Sequence, residues 1–251
     1  MSLDPRTPRR RKGRRAPTVY TGKSEPKVPA VPDLADLLEL LELSELDCPR
    51  ESLPPLQRYL RRMLEENEKL NLSGIKDWHE ALALHVVDSL YLWVATAKPP
   101  RVVLDIGSGN GFPGVAAASL WPDARVLLVE RRQKKARAIA DCAQDAGLAN
   151  VETLALDAGQ VPALHPKLRH GCDLVLSRAT ASLADIARLS APLLRAEGLL
   201  VQWKAQKFAE EERREYERQQ RRLGLKSRED LVYVIHAEQP RPRRLVSALK
   251  V

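Results

Sequence analysis

The stretch "VVLDIGSGNGFPG", Val102 to Gly114, begins as an apolar run, stops on an acid and becomes mostly glycine. Such a run predicts a buried strand that turns tightly into a helix. Glycines at 107, 109 and 111 let the backbone take positive φ and let a ligand approach with no Cβ in the way. The dinucleotide pattern GxGxxG has Phe112 at its third glycine, and no GK[ST] follows. Neither a pyrophosphate loop nor a P-loop is present.

Three acids mark the ends of three successive strands. Asp105 closes the first, Glu130 the second (Arg125–Glu130), and Asp157 follows the third (Val151–Ala155). In an open α/β sheet, ligands bind in the crevice at the carboxyl ends of the strands. Glu130 is placed to accept both hydroxyl protons of a ribose, and Asp157 to meet the exocyclic amine of an adenine. Ribose and adenine without a pyrophosphate loop describe a nucleoside, and S-adenosylmethionine is the expected one.

Working outward, strands read as Asp173–Ser177, Leu199–Lys204, Leu231–His236 and a last one near Arg244–Lys250. Amphipathic helices fit Gly114–Leu120, Lys134–Ala146 and Leu183–Leu194. This alternation predicts an α/β, Rossmann-like, doubly wound mixed sheet of seven strands over residues 100–251. Upstream, residues 31–99 carry helical periodicity in "DLADLLELLEL" from Asp33 and in "PPLQRYLRRMLEENEKLNL" from Pro54 to Leu72. A third helix, "ALALHVVDSLYLWV", follows a capping box at Asp77 and Glu80. "KPP" at Lys98–Pro100 closes this helical unit. The charged stretch Phe208–Leu223 reads as an exposed helix.

Of the net charge of +8, nine Lys/Arg against two acids in residues 1–30 supply +7. That proline-rich segment is expected to be a disordered basic tail. It suits an electrostatic hold on nucleic acid, or no specific task. No apolar run approaches the roughly 20 residues of a membrane span. The basic start is not followed by the apolar stretch of a secretory signal, so a cytoplasmic chain is expected. Cys48, Cys142 and Cys172 show neither CxxC nor metal-ligand spacing, and neither disulfide nor metal is expected.

The target chemistry leaves its own signals. Amino-group methylation of a base calls for a [DN]PP[YFW] element after the fourth strand, where this chain has "SRATAS", Ser177 to Ser182. Cytosine C5 methylation needs a cysteine nucleophile. Cys48, the only cysteine beside a proline, lies outside the sheet. A ring nitrogen with a free lone pair, such as guanine N7, needs alignment rather than a general base.

The motifs "KLNLSGI", "HVVDSL", "LDIGSGNGFPG", "KKARAI", "LVLSRATASL" and "LLVQWKA" occur in that order. Together they resemble the small-subunit ribosomal RNA methyltransferase G family, also called glucose-inhibited division protein B. The resemblance runs from about residue 55 to 205. It implies a class I methyltransferase fold and transfer of a methyl group from S-adenosylmethionine to guanine N7 in the decoding-region loop of 16S rRNA. The cofactor contacts expected are Asp105, Gly107, Gly109, Gly111, Phe112 as an apolar wall, Glu130, Asp157, Ala158, Gly159 and Arg178. Lys204, Arg178, His85 and Asp88 are the catalytic candidates, and Asn71, Lys134, Lys135, Arg137 and Lys204 the substrate-binding ones.

Bland roles stand beside these. His85 fits a core histidine with Asp88 as its partner, Asn71 a helix C-cap, and Trp203 either packing or a base-stacking surface. "PRPRRL", Pro240 to Leu245, could contact phosphate. The departures from the family pattern are Glu130 for the usual Asp, Arg131 for a small residue and Asp157 for a frequent arginine. A cytoplasmic, monomeric enzyme acting on 16S rRNA or the small ribosomal subunit is the expectation. A methyltransferase of a small molecule or protein, and a non-catalytic RNA-binding protein of the same fold, remain its rivals.

Overall fold

Val102–Ile106 forms β1 and lies at the centre of the sheet, hydrogen-bonded to a parallel strand on either side. The computed structural model describes residues 34–205, 210–237 and 239–251. The expected tail over residues 1–30, the helix start at Asp33 and the helix start at Phe208 lie outside the described residues. Four more strands run parallel to it: β2 (Arg125–Val129), β3 (Val151–Leu154), β4 (Cys172–Arg178) and β5 (Leu194–Ala205). They are joined through α6 (Gly114–Leu120), α7 (Gln133–Asp145), α8 (Val161–Leu164) and α9 (Leu183–Ser190). The order is β3-β2-β1-β4-β5-β8-β6, with β8 (Arg241–Lys250) antiparallel to β5 and β6 (Leu225–Ser227) beyond it.

The far edge differs from the sequence expectation. A single sixth strand was predicted, whereas two short ones share one side of β8. β7 (Leu231–Ile235) pairs with Arg241–Leu245, and β6 (Leu225–Ser227) with Ala248–Lys250. The triplet Leu-Lys-Ser of β6 is too short to carry an alternating pattern. Likewise α9 ends at Ser190 rather than Leu194, because Leu194 is already paired with Cys172 across the sheet. Between β5 and β6 lies α10 (Glu210–Gln220).

Alternation along the strands gives the sheet two apolar faces. Leu104, Ile106, Val175 and Leu200 pack with Leu183, Ile186 and Tyr216 from α9 and α10. Val103, Leu174, Leu176, Val201 and Trp203 face the other way, into a core that continues without interruption into the helical segment. That segment comprises α1 (Leu34–Leu43), α2 (Leu53–Leu70), α3 (Trp78–Ala81), a π-helical turn over Leu82–Val87, α4 (Asp88–Leu90) and α5 (Leu92–Ala95). Leu56, Tyr59, Leu60 and Met63 form the fully buried stripe of α2. Each such side chain contributes about 1.5–3 kcal/mol on burial. The expected cap is present: Asp77 Oδ1 accepts from Glu80 N at 2.8 Å. No described helix is long and apolar enough to cross a membrane.

Candidate active site

The turn after β1 is built from backbone contacts that glycine permits. Gly107 N and Ser108 N donate to Val129 O, at the end of β2, at 2.9 and 3.0 Å. Gly107, Gly109 and Gly111 all take positive φ, and a Cβ at Gly107 would collide with the Thr180 side chain. Glu130, only 7% exposed, receives Gly109 N on Oε2 at 3.2 Å and Arg132 N on Oε1 at 2.9 Å. Each oxygen keeps a lone pair for a further donor. Asp157 caps the short turn after β3, accepting from Gly159 N at 2.9 Å.

These strand ends enclose a cavity of about 360 Å³ lined by Ile106, Gly107, Val129, Glu130, Leu156, Asp157, Ala158 and Leu189 among others. The volume suits a small-molecule site. Arg131, Arg132 and Lys135 form its basic rim, and Ala179 and Thr180 its wall from the loop after β4. Of the expected cofactor residues, the structure thus brings Gly107, Glu130, Asp157 and Ala158 to one cavity. Arg132, Leu156, Thr180 and Leu189 were missed. They are apolar or generic loop residues whose position depends on how the turns fold.

Several expected contacts lie elsewhere. Asp105 is 1% exposed and accepts Gly114 N, at the start of α6, on Oδ2 at 3.1 Å. Its Oδ1 has no hydrogen-bond partner among the described residues, and burial pushes its pKa up to about 7. Phe112 is not the wall of the cavity. Its buried ring meets Tyr59 edge-on at 5.4 Å and stacks on His85 at 5.9 Å, inside the core shared with the helices. Gly111 is pressed against the Tyr59 hydroxyl, where a Cβ would collide.

Arg178 also turns away from the cavity. Alternation places it on the same face as Leu174 and Leu176, beneath the helical segment. Its Nη1 donates to Leu84 O at 3.0 Å, Ser89 Oγ at 3.2 Å and Asp88 Oδ2 at 3.3 Å. Asp88 therefore partners Arg178 rather than His85, and it also accepts the Tyr233 hydroxyl at 2.8 Å. His85 Nε2 meets Ser73 Oγ at 2.8 Å and Asn110 Nδ2 at 3.1 Å. Burial first, and the Arg178 charge second, lower its pKa to about 3, so it stays neutral.

Lys204 is paired: Nζ donates to Glu212 Oε1 at 2.6 Å and to Ala181 O at 3.0 Å. Trp203 is buried, with Nε1 donating to the Asp88 carbonyl at 3.0 Å, so it presents no stacking surface. Asn71 is the C-cap of α2 with φ +49°, and its carbonyl accepts from Lys135 Nζ at 2.6 Å. Lys134 and Arg137 are both exposed, with Arg137 4.0 Å from Asp141. The arginines of "PRPRRL" are engaged by acids: Arg241 with Glu80, Arg243 with Asp88, and Arg244 with Asp230.

A 3-2-1-4-5 parallel order with an antiparallel strand beyond it, and a cavity at the carboxyl ends of β1, β2 and β3, define the class I methyltransferase fold. The Bacillus cereus O-methyltransferase solved with SAH superimposes with a TM-score of 0.57 at 18% identity, over 85% of this chain and 97% of that one. The family model for rRNA small subunit methyltransferase G matches residues 52–242, and the chain belongs to that family. Relatives bearing the family name include one from Dehalococcoides mccartyi, 33% identical over 59% of this chain and 63% of its own length. Another, from Sorangium cellulosum, is 39% identical over 61% of this chain and 64% of its own. The matched region thus spans somewhat less than two thirds of these relatives.

Proposed function

We propose that the cavity holds S-adenosylmethionine and that the chain methylates guanine N7 in the decoding-region loop of 16S rRNA. The observation that carries the cofactor reading is Glu130: a nearly buried carboxylate facing the cavity, anchored by two backbone amides and still able to accept ribose hydroxyls. Asp157 and the Ala158 backbone would meet the adenine, and Gly107 leaves room for close backbone approach. When bound, the cofactor supplies an electrophilic methyl group.

The choice of target follows from what the chain's own residues can do. Burial raises the pKa of Cys48 and pushes Cys142 and Cys172 up to about 12, so no thiolate nucleophile is available. His85, neutral and enclosed, is not a base for the cavity. Guanine N7 carries its own lone pair and needs only to be held in line. Arg131, Arg132 and Lys135 at the cavity rim, with exposed Lys134 beside them in the chain, supply phosphate-binding charge. Activity as a monomer in the cytoplasm, on 16S rRNA or the assembled subunit, completes the reading.

Mapping N7-methylguanine in small-subunit RNA from cells with and without the gene tests the target. Loss of one modified position without the gene is expected. An unchanged map overturns the target while leaving the cofactor reading in place.

A further inference from the structure

Two of the loops that frame the cavity, the one after β1 and the one after β4, are held by the helical segment. On the glycine side, the Tyr59 hydroxyl of α2 donates to the Asn110 carbonyl at 2.9 Å, in a fully buried position. Gly111 takes φ +93° directly against that hydroxyl. His85, in the π-helical turn, reaches the same loop residue through Asn110 Nδ2. On the far side, the same turn presents the Leu84 carbonyl to Arg178, and the next two residues, Ala179 and Thr180, line the cavity.

We propose that this helical segment is the positioning frame of the cavity and that Tyr59 is the positioning residue of its glycine loop. The proposal rests on the cavity being the cofactor site. Tyr59 is fully buried and does not line the cavity itself. It acts through Asn110 and Gly111 on Gly109, whose amide is bonded to the Glu130 carboxylate. Removing the hydroxyl leaves the carbonyl of a buried residue without its donor, and the loop moves to recover one.

The test is calorimetric titration of S-adenosylhomocysteine into the whole chain, with thermal unfolding of each variant recorded alongside. For Tyr59→Phe, Kd is expected to rise about fivefold, the worth of one hydrogen bond. The cofactor KM should rise in parallel while kcat changes little. Arg58→Ala is the comparison. It cuts a tie of the same helix to the Ala146 carbonyl (2.9 Å), away from the cavity, and should lower the melting temperature with Kd unchanged. Asn110→Ala, which cuts the His85 link, should weaken binding in the same direction as Tyr59→Phe and serves if that variant does not fold. Equal Kd for Tyr59→Phe and wild type overturns the proposal, as does an equal loss of affinity in Arg58→Ala. Failure of the wild type to bind overturns the cofactor reading itself.

Discussion

Arg178 and Lys204 end adjacent parallel strands yet project from opposite faces of the sheet. Arg178 pairs in register with Trp203, so Lys204 is one residue further on and points the other way. Arg178 is taken up by the helical segment, and Lys204 by Glu212 of α10. The two side chains expected to share catalysis therefore belong to two separate structural clusters. Glu212 also accepts Leu183 N at 2.7 Å, so the Lys204 cluster sets the turn from β4 into α9. A Lys204→Ala/Glu212→Ala double-mutant cycle, read by urea denaturation, is expected to give a coupling of about 1 kcal/mol, since both groups are only partly buried. A coupling near zero would leave Lys204 free for the catalytic role that its sequence position suggested.

Arg178→Lys is not a conservative change. One guanidinium bonds Leu84 O, Asp88 and Ser89 together, a fork that an ammonium on a flexible stem does not reproduce. Loss of about 2 kcal/mol of stability is expected. Chemical denaturation at neutral pH checks it, and a change within error would show that Asp88 is held by Tyr233 and Arg243 alone.

Among the glycines, Gly111 and Gly74 form a matched pair. Gly111→Ala combines positive φ with a collision at the Tyr59 hydroxyl, whereas a Cβ at Gly74 meets nothing within 4 Å. A loss of at least about 2 kcal/mol is expected for the first. The second should stay within about 0.5 kcal/mol of wild type.

Two buried groups oppose each other in acid. Asp105 titrates near 7 in the fold against 3.8 ordinarily, so the folded chain binds the extra proton and stability falls as pH rises across that window. His85 titrates near 3 against 6.5, so the unfolded chain binds the extra proton and stability rises with pH over its window. Between about 4 and 6.5 the two slopes largely cancel. Asp105→Asn should unmask the rising slope, and His85→Gln the falling one. Unfolding free energies measured at successive pH values decide this, and parallel curves for all three proteins would refute it.

Much of the layout was legible before the structure. "VVLDI" is β1 residue for residue, and "GVAAASL" is α6, because short apolar runs bounded by glycine and a charged turn leave little choice. Strand ends alone brought Glu130 and Asp157 together, and both line the cavity. Side-chain direction in the loops was not legible. Phe112 follows a glycine turn whose exit angle depends on Tyr59, in a helix far upstream in the chain. Nor was the partner of Lys204: cost of burial flagged the lysine, but no sequence pattern joins it to Glu212. The π-helical turn carries no apolar signature of its own, since Leu82–Val87 continues an already helical run.

The pairing of β8 makes the far edge of the sheet depend on one strand late in the chain. β6 and β7 bond to no other described strand, and β5 has β8 as its outer neighbour. Until residues 241–250 leave the ribosome, everything from Leu225 to Ile235 lacks a ladder, and one edge of β5 stays open. Residues 102–205 can meanwhile assemble the parallel strands and the cavity. The strands whose ends line the cavity thus need nothing beyond Ala205 for their ladders, whereas β6 and β7 depend on a single late strand.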